Sequence, residues 1–218
     1  MSGQEPSYIV VEGPIGVGKT SLARRLAETY NAELMLEAPE ENPFLERFYQ
    51  DPKGAALPTQ LFFLMQRVRQ LEALRQRDIF KPVRVADFLV EKDRLFAQVT
   101  LDDAEHGLYE QVYEQLTLDA PKPDLVIYLQ APVEVLIERV QHRGIDYEQG
   151  VRPEYLRRLS ESYMDFFHRY DAGPLLIVNA ASIDPVRRDE DYEDLLRRIR
   201  AMEGGRQYYN PAPFGVAD

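Results

Sequence analysis

The chain contains no cysteine, which excludes disulfides, thiolate catalysis and Cys-ligated zinc. Its histidines, His106, His142 and His168, are too scattered to form a metal-binding spacing, and each reads as a surface or packing residue. No apolar run is longer than Leu61 to Met65, far short of the roughly 20 residues of a membrane-spanning helix. The stretch Met1 to Pro6 lacks the basic and apolar regions of a signal peptide, so a cytoplasmic location is expected. Positive charge is in deficit: 26 Lys and Arg face 37 Asp and Glu, a formal net charge of −11. A general nucleic-acid surface needs a basic footprint and is not expected. A small anionic substrate held by a few arginines remains compatible. No repeat, low-complexity block or Pro/Gly/Ser linker divides the 218 residues. They read as a single domain over 1–203 and a C-terminal tail over 204–218, irregular or mobile from Gly204.

What is present is concentrated near the start. Tyr8 to Val11 is a β-branched, apolar run that leads into Gly13-Pro14-Ile15-Gly16-Val17-Gly18-Lys19-Thr20, and the residues from Lys19 to about Tyr30 have helical spacing. Strand, glycine-rich loop and helix in this order make a P-loop. The glycines let backbone N–H groups close around phosphate oxygens, and the helix N-terminus adds partial positive charge. Lys19 is placed to reach the outer phosphates and Thr20 to ligate Mg²⁺. Residues 13–20 are therefore the expected ATP-binding loop.

A short strand, Glu33 to Leu36, follows, with Glu37 at the carboxyl end where open parallel sheets bind ligands. A short helix over Phe44 to Tyr49 precedes a long one from about Leu57 to Arg77. Leu57, Leu61, Leu64, Val68, Leu71 and Leu74 form an apolar stripe on the long helix, and Phe62 and Phe63 widen it. Gln60 and Arg67, seven residues apart, project to nearly the same side. The third strand, Pro82 to Ala86, ends at Asp87, a second metal-ligand candidate. Helices are expected from about Val90 and from Asp102, an N-cap, to Leu118. Asp124 to Leu129 is a near-continuous apolar strand, as when both sheet faces are covered. After a helix from Pro132 to about His142, Arg139 and Arg143 lie on one face beside a glycine-punctuated loop. That is the arrangement of a closing lid, about 139–152, whose cations meet a transferring phosphoryl group. A helix over Arg152 to Tyr170, a strand at Leu175 to Val178 and a helix from Asp189 to Met202 complete the chain. The fold class is α/β, a P-loop three-layer fold with a five-stranded parallel sheet, helices on both faces and an Arg-bearing lid.

From Tyr8 to about Tyr170 the chain resembles the deoxynucleoside kinase family. The carrying motifs are Glu12-Gly-x-Ile15-Gly16-x-Gly18-Lys19-Thr20, then Glu37 with Glu41-Asn42-Pro43-Phe44-Leu45 and Phe48-Tyr49-x-Asp51-Pro52. Asp93-Arg94-x-Phe96-Ala97 and Arg139-x-x-x-Arg143-Gly144 follow. The resemblance implies that Glu37 is the base for the sugar 5′-hydroxyl and that Tyr49 helps hold the 3′-hydroxyl. It also implies that Gln60, Arg67 and Asp93 face the base, that Glu148 contacts the sugar, and that the enzyme is a homodimer using ATP and Mg²⁺. Two positions depart from the family pattern. Asp87-Phe88-Leu89 stands where the family has acid-Arg-Ser, and Ile145 stands in place of the second arginine of the lid's Arg-Gly-Arg. Arg84 and Arg94 are the nearby arginines that would compensate. The expected reaction is transfer of the ATP γ-phosphoryl group to a deoxynucleoside, deoxyadenosine first. The alternatives are a nucleoside monophosphate kinase similar to thymidylate kinase, and a nucleotide-binding regulatory protein on a decayed kinase scaffold.

Overall fold

A computed structural model describes residues 6–76, 83–117 and 120–210. The expected element ends at Arg77, Pro82 and Leu118, the stretch 1–5 and tail residues 211–218 lie outside them. In chain order the elements are β1 (Tyr8–Glu12), α1 (Lys19–Tyr30), β2 (Glu33–Met35), α2 (Leu45–Gln50), α3 (Ala56–Gln76), β3 (Arg84–Ala86), α4 (Lys92–Thr100) and α5 (Asp103–Thr117). They continue with β4 (Leu125–Gln130), α6 (Val133–Arg143), α7 (Pro153–Arg169), β5 (Leu175–Asn179), α8 (Asp189–Arg200) and β6 (Arg206–Tyr209).

The strands form one parallel sheet in the order β2-β3-β1-β4-β5-β6. Alternation along each strand sends neighbouring side chains to opposite faces, and each face has its own core. Tyr8 and Val10 pack with Leu64 and Val68 of α3, Leu95 of α4, Tyr109 of α5 and Tyr163 of α7. Ile9 and Val11 pack with Leu22 and Leu26 of α1, Leu136 of α6 and Leu195 of α8. The result is the expected three-layer architecture. Among the described residues, no helix is long and apolar enough to cross a membrane.

Most boundaries fall within two residues of expectation, for local reasons. Asp102 caps α5 as expected, its Oδ1 accepting from the N–H groups of Ala104 and Glu105 at 3.0 and 2.9 Å. α6 stops at Gly144, whose φ of 63° suits a residue without a Cβ. The sheet corrects one expectation: it has a sixth strand, because residues 206–209 of the supposed irregular tail pair with β5. Tyr209 is buried in the second core, and Arg206 Nη2 donates to the Tyr170 carbonyl at 2.9 Å.

Candidate active site

The P-loop leaves β1 under tight steric constraint. A Cβ on Gly13 would lie 2.3 Å from the Leu129 carbonyl oxygen, and one on Gly16 would lie 2.8 Å from that of Leu136. Both glycines also have positive φ, so neither position accepts a side chain. The Pro14 carbonyl accepts from the Val17 N–H at 3.2 Å and from Lys19 Nζ at 3.3 Å, which curls the loop over the N-terminus of α1. Glu12, fully buried at the end of β1, holds this turn in place. Its carboxylate accepts from the N–H of Gly13 at 2.7 Å, the N–H of Leu89 at 3.0 Å and the Tyr163 hydroxyl at 3.0 Å. One side chain thereby ties the P-loop to the segment after β3 and to α7.

Because β3 lies beside β1, its carboxyl end brings Asp87 to the P-loop. Asp87 Oδ2 accepts from the Thr20 hydroxyl at 2.5 Å, and its Oδ1 from the Glu37 N–H at 2.8 Å. The Glu37 carboxylate pairs with Arg67, which also pairs with Asp93. Thr20, Asp87, Glu37, Arg67 and Asp93 thus form an unbroken run of contacts from the P-loop to the first turn of α4. All five line one cavity, together with Lys19, Tyr49, Gln60, Arg143 and Glu148. At its apolar end Tyr49 packs with Phe48 and Tyr155, at ring-centroid distances of 5.4 and 6.5 Å. Gln60 Nε2 donates to the Thr100 hydroxyl at 3.3 Å. Arg143 is paired with Glu148, so the lid arginine rests on the lid's own acid. A Cβ on Gly150 would lie 2.9 Å from that of Tyr49, which shows how closely the lid seats on α2.

Arg139 sits elsewhere. Its guanidinium donates to the carbonyls of Val17 at 3.3 Å and Ala180 at 2.8 Å. It lines the adjoining cavity along the outside of the P-loop, which Arg143 shares. The suggested compensating arginines are also remote from the site. Arg84 lies 3.9 Å from Glu33, and Arg94 is clamped by Glu110 on the surface; neither lines the cavity. Phe88 points into the first core, so that position presents no side chain to the cavity.

Sequence reasoning missed Lys92. It is 3% exposed, lines the cavity, and its Nζ donates to Glu37 Oε2 at 2.5 Å. Burial lowers its pKa to about 8, against the raising influence of Glu12. Lys19 is likewise held down to about 8, first by burial and then by Lys92. Burial pushes Asp93 up to about 6, although Arg67 pulls it down. Flanked by Glu91 and Asp93, Lys92 has the sequence context of a solvated helix surface. The one available signal was its four-residue spacing from Phe96, over whose ring the ammonium lies at 5.3 Å.

A sequence model of the deoxynucleoside kinase family matches residues 9–202. A deoxyguanosine kinase of Bacillus subtilis is 33% identical over 201 residues, covering 89% of this chain and 97% of that one. A deoxyadenosine kinase of Dictyostelium discoideum is 31% identical over 225 residues, covering 97% and 86%. A solved deoxyadenosine kinase from M. mycoides, with products dCMP and dCDP bound, superposes with a TM-score of 0.78 at 25% identity, over 89% of this chain and all (100%) of that one. With the P-loop, the carboxylate at the end of β2 and the lid meeting in one cavity, the chain belongs to the deoxynucleoside kinase family.

Proposed function

We propose that the protein transfers the γ-phosphoryl group of ATP to the 5′-hydroxyl of a deoxynucleoside in a Mg²⁺-dependent reaction, with deoxyadenosine favoured. The observation that carries this reading is the run of contacts from Thr20 through Asp87 and Glu37 to Arg67 and Asp93. It puts a carboxylate midway between a phosphate loop and a polar end suited to a base. The sugar hydroxyl is a weak nucleophile, and Glu37 accepts its proton as the oxygen attacks. Lys19 and Arg143 stabilise charge on the transferring group, and the P-loop N–H groups hold the remaining phosphates. Arg139 keeps the loop and the start of the lid in register through Val17 and Ala180. Tyr49 and Glu148 hold the sugar.

The donor set suits Mg²⁺: Thr20 and Asp87 offer hard oxygen ligands side by side. No group of three or more His, Cys, Asp or Glu side chains able to hold a metal occurs among the described residues. Mg²⁺ commonly binds through one or two protein oxygens and the nucleotide's phosphates, and when bound it neutralises charge between them.

At the base end, Asp93 Oδ2 is buried without a hydrogen-bond partner, and the Gln60 amide offers a donor and an acceptor. An exocyclic amine satisfies Asp93, whereas thymine's O4 would face a carboxylate. Deoxyadenosine is therefore placed first, deoxycytidine second and thymidine last. Deoxyguanosine is a second reading, favoured by the B. subtilis relative and by Arg67 Nε, a buried donor without a hydrogen-bond partner that suits guanine's O6. A panel of deoxynucleosides and thymidine monophosphate, assayed with labelled ATP, tests the proposal. Phosphorylation of the monophosphate in preference to every nucleoside would overturn it. A homodimer and a cytoplasmic location are part of the same proposal. The dimer is supported by the exposed apolar side chains of Met65 on α3 and Leu108 and Leu116 on α5.

A further inference from the structure

Lys92 occupies a costly position. It is the first residue of α4, at the positive end of the helix dipole, and it is almost wholly buried. It also shares the cavity with Lys19, Arg67 and Arg143. Burying an ammonium beside other cations is unfavourable unless anionic partners use its donors. The protein supplies one close partner. Glu37 takes one of the three N–H groups, and Glu37 is already paired with Arg67. Glu12 lies 3.9 Å away, but its oxygens accept from Gly13, Leu89 and Tyr163. Donor capacity on Lys92 is thus left for a further anion, at the side of Glu37 where the attacking hydroxyl and the phosphoryl group must meet.

We propose that Lys92 is a catalytic residue that donates to the oxygens of the phosphoryl group in flight, while its bond to Glu37 aims that carboxylate at the nucleophile. This rests on the kinase reading of the same cavity. It accounts for the absence of an arginine at position 88: the Phe88 side chain goes to the core, and a cation four residues later enters from the start of α4. A charge of this kind acts mainly in the transition state, so its removal affects turnover rather than substrate binding.

The test is steady-state kinetics with deoxyadenosine and Mg·ATP on the wild type, Lys92→Met and Lys92→Arg. Lys92→Met keeps the length and apolar stem of the side chain. We expect kcat to fall by about a hundredfold or more in Lys92→Met, with both KM values within about threefold of wild type, and Lys92→Arg to recover about tenfold of the loss. If Lys92→Met does not fold, as judged by its melting transition, Lys92→Gln takes its place in the same comparison. A kcat within about threefold of wild type overturns the inference and leaves the kinase reading intact. So does a loss carried mainly by the deoxynucleoside KM and not relieved by arginine, because that would mark Lys92 as support for Glu37 and Arg67 alone. A wild-type protein that binds ATP yet phosphorylates no nucleoside overturns the kinase reading itself, and this inference with it.

Discussion

Glu37 and Asp87 are joined by one hydrogen bond, yet their surroundings prepare them for different work. Asp87 faces a hydroxyl of the P-loop and a backbone N–H, a setting for holding a metal. Glu37 faces two cations, Arg67, which also pairs with Asp93 at the base end, and Lys92. Glu37→Gln should therefore lower kcat by about a hundredfold or more with little change in the KM for ATP. Asp87→Asn should instead raise the Mg²⁺ concentration needed for half-maximal rate. Equal effects of both changes on both quantities would refute the division of roles. Lys19→Ala should cost at least about a hundredfold in kcat without unfolding the protein, measured by turnover beside a thermal melt. At Asp93 the prediction concerns pH. Its carboxyl is raised by burial from 3.8 to about 6, so the folded state holds the proton more tightly than the unfolded one. Stability from this group is present at low pH and is lost as pH rises towards about 6. Asp93→Asn removes that loss, so urea denaturation should show the variant gaining on wild type between about pH 4.5 and about pH 7. It should also narrow the gap in kcat/KM between deoxyadenosine and thymidine, by replacing a carboxylate at the base end with a side chain that can donate. At this scale the sequence was most legible where spacing mirrors geometry, as with Gln60 and Arg67 on one helix face. It was least legible at Lys92, because burial at a helix start depends on how α4 packs against α3 and α7, which the residues around Lys92 do not encode.

The secondary-structure elements show the same division. β1, the P-loop and α1 were readable because their periodicities and glycine positions are local properties. The long α3 was readable too, but its excess of apolar residues needed the tertiary structure to explain it. Leu64, Val68 and Leu71 enter the sheet-side core, whereas Phe63 turns to the small cluster of Leu45, Phe48, Ala55 and Ala56 beside the cavity. β6 was illegible because four residues after Gly204-Gly205 at the sheet edge carry no alternation strong enough to distinguish them from coil. Pairing with β5 decides the matter. The lid approaches α2 closely where Gly150 meets Tyr49. Gly150→Ala should push the lid off α2 and disturb both Tyr49 and Glu148. The expected outcome is a KM for the deoxynucleoside raised about tenfold, with the KM for ATP changed by much less, since a misfit of this size costs about 1–3 kcal/mol. A variant with unchanged nucleoside KM would show that the lid does not bear on the sugar end.

For the whole molecule, a net charge of −11 coexists with a cavity that gathers Lys19, Arg67, Lys92 and Arg143. The same cavity holds Glu37, Asp87, Asp93 and Glu148, so its charges balance and the excess of acid lies elsewhere on the chain, which disfavours a general nucleic-acid surface. The exterior is not uniformly polar. Met65 is 42% exposed on α3, and Leu108 and Leu116 are 50% and 36% exposed on α5, the helix that packs against α3 in the first core. Apolar side chains on two neighbouring helices are what a two-fold helix-against-helix contact needs, because an isologous interface uses the same patch twice. A stable contact of this kind buries roughly 800 Å² on each protomer, more than one side chain provides, so both helices should take part. We expect light scattering at micromolar protein to give twice the chain mass of 25.3 kDa. Met65→Glu combined with Leu108→Glu should shift the particle to a monomer by placing like charges across the two-fold axis. The active-site cavity lies within one chain, so the monomeric variant should bind ATP with unchanged affinity. A wild-type particle of single-chain mass, or a double variant that remains a dimer, would show that α3 and α5 do not form the contact.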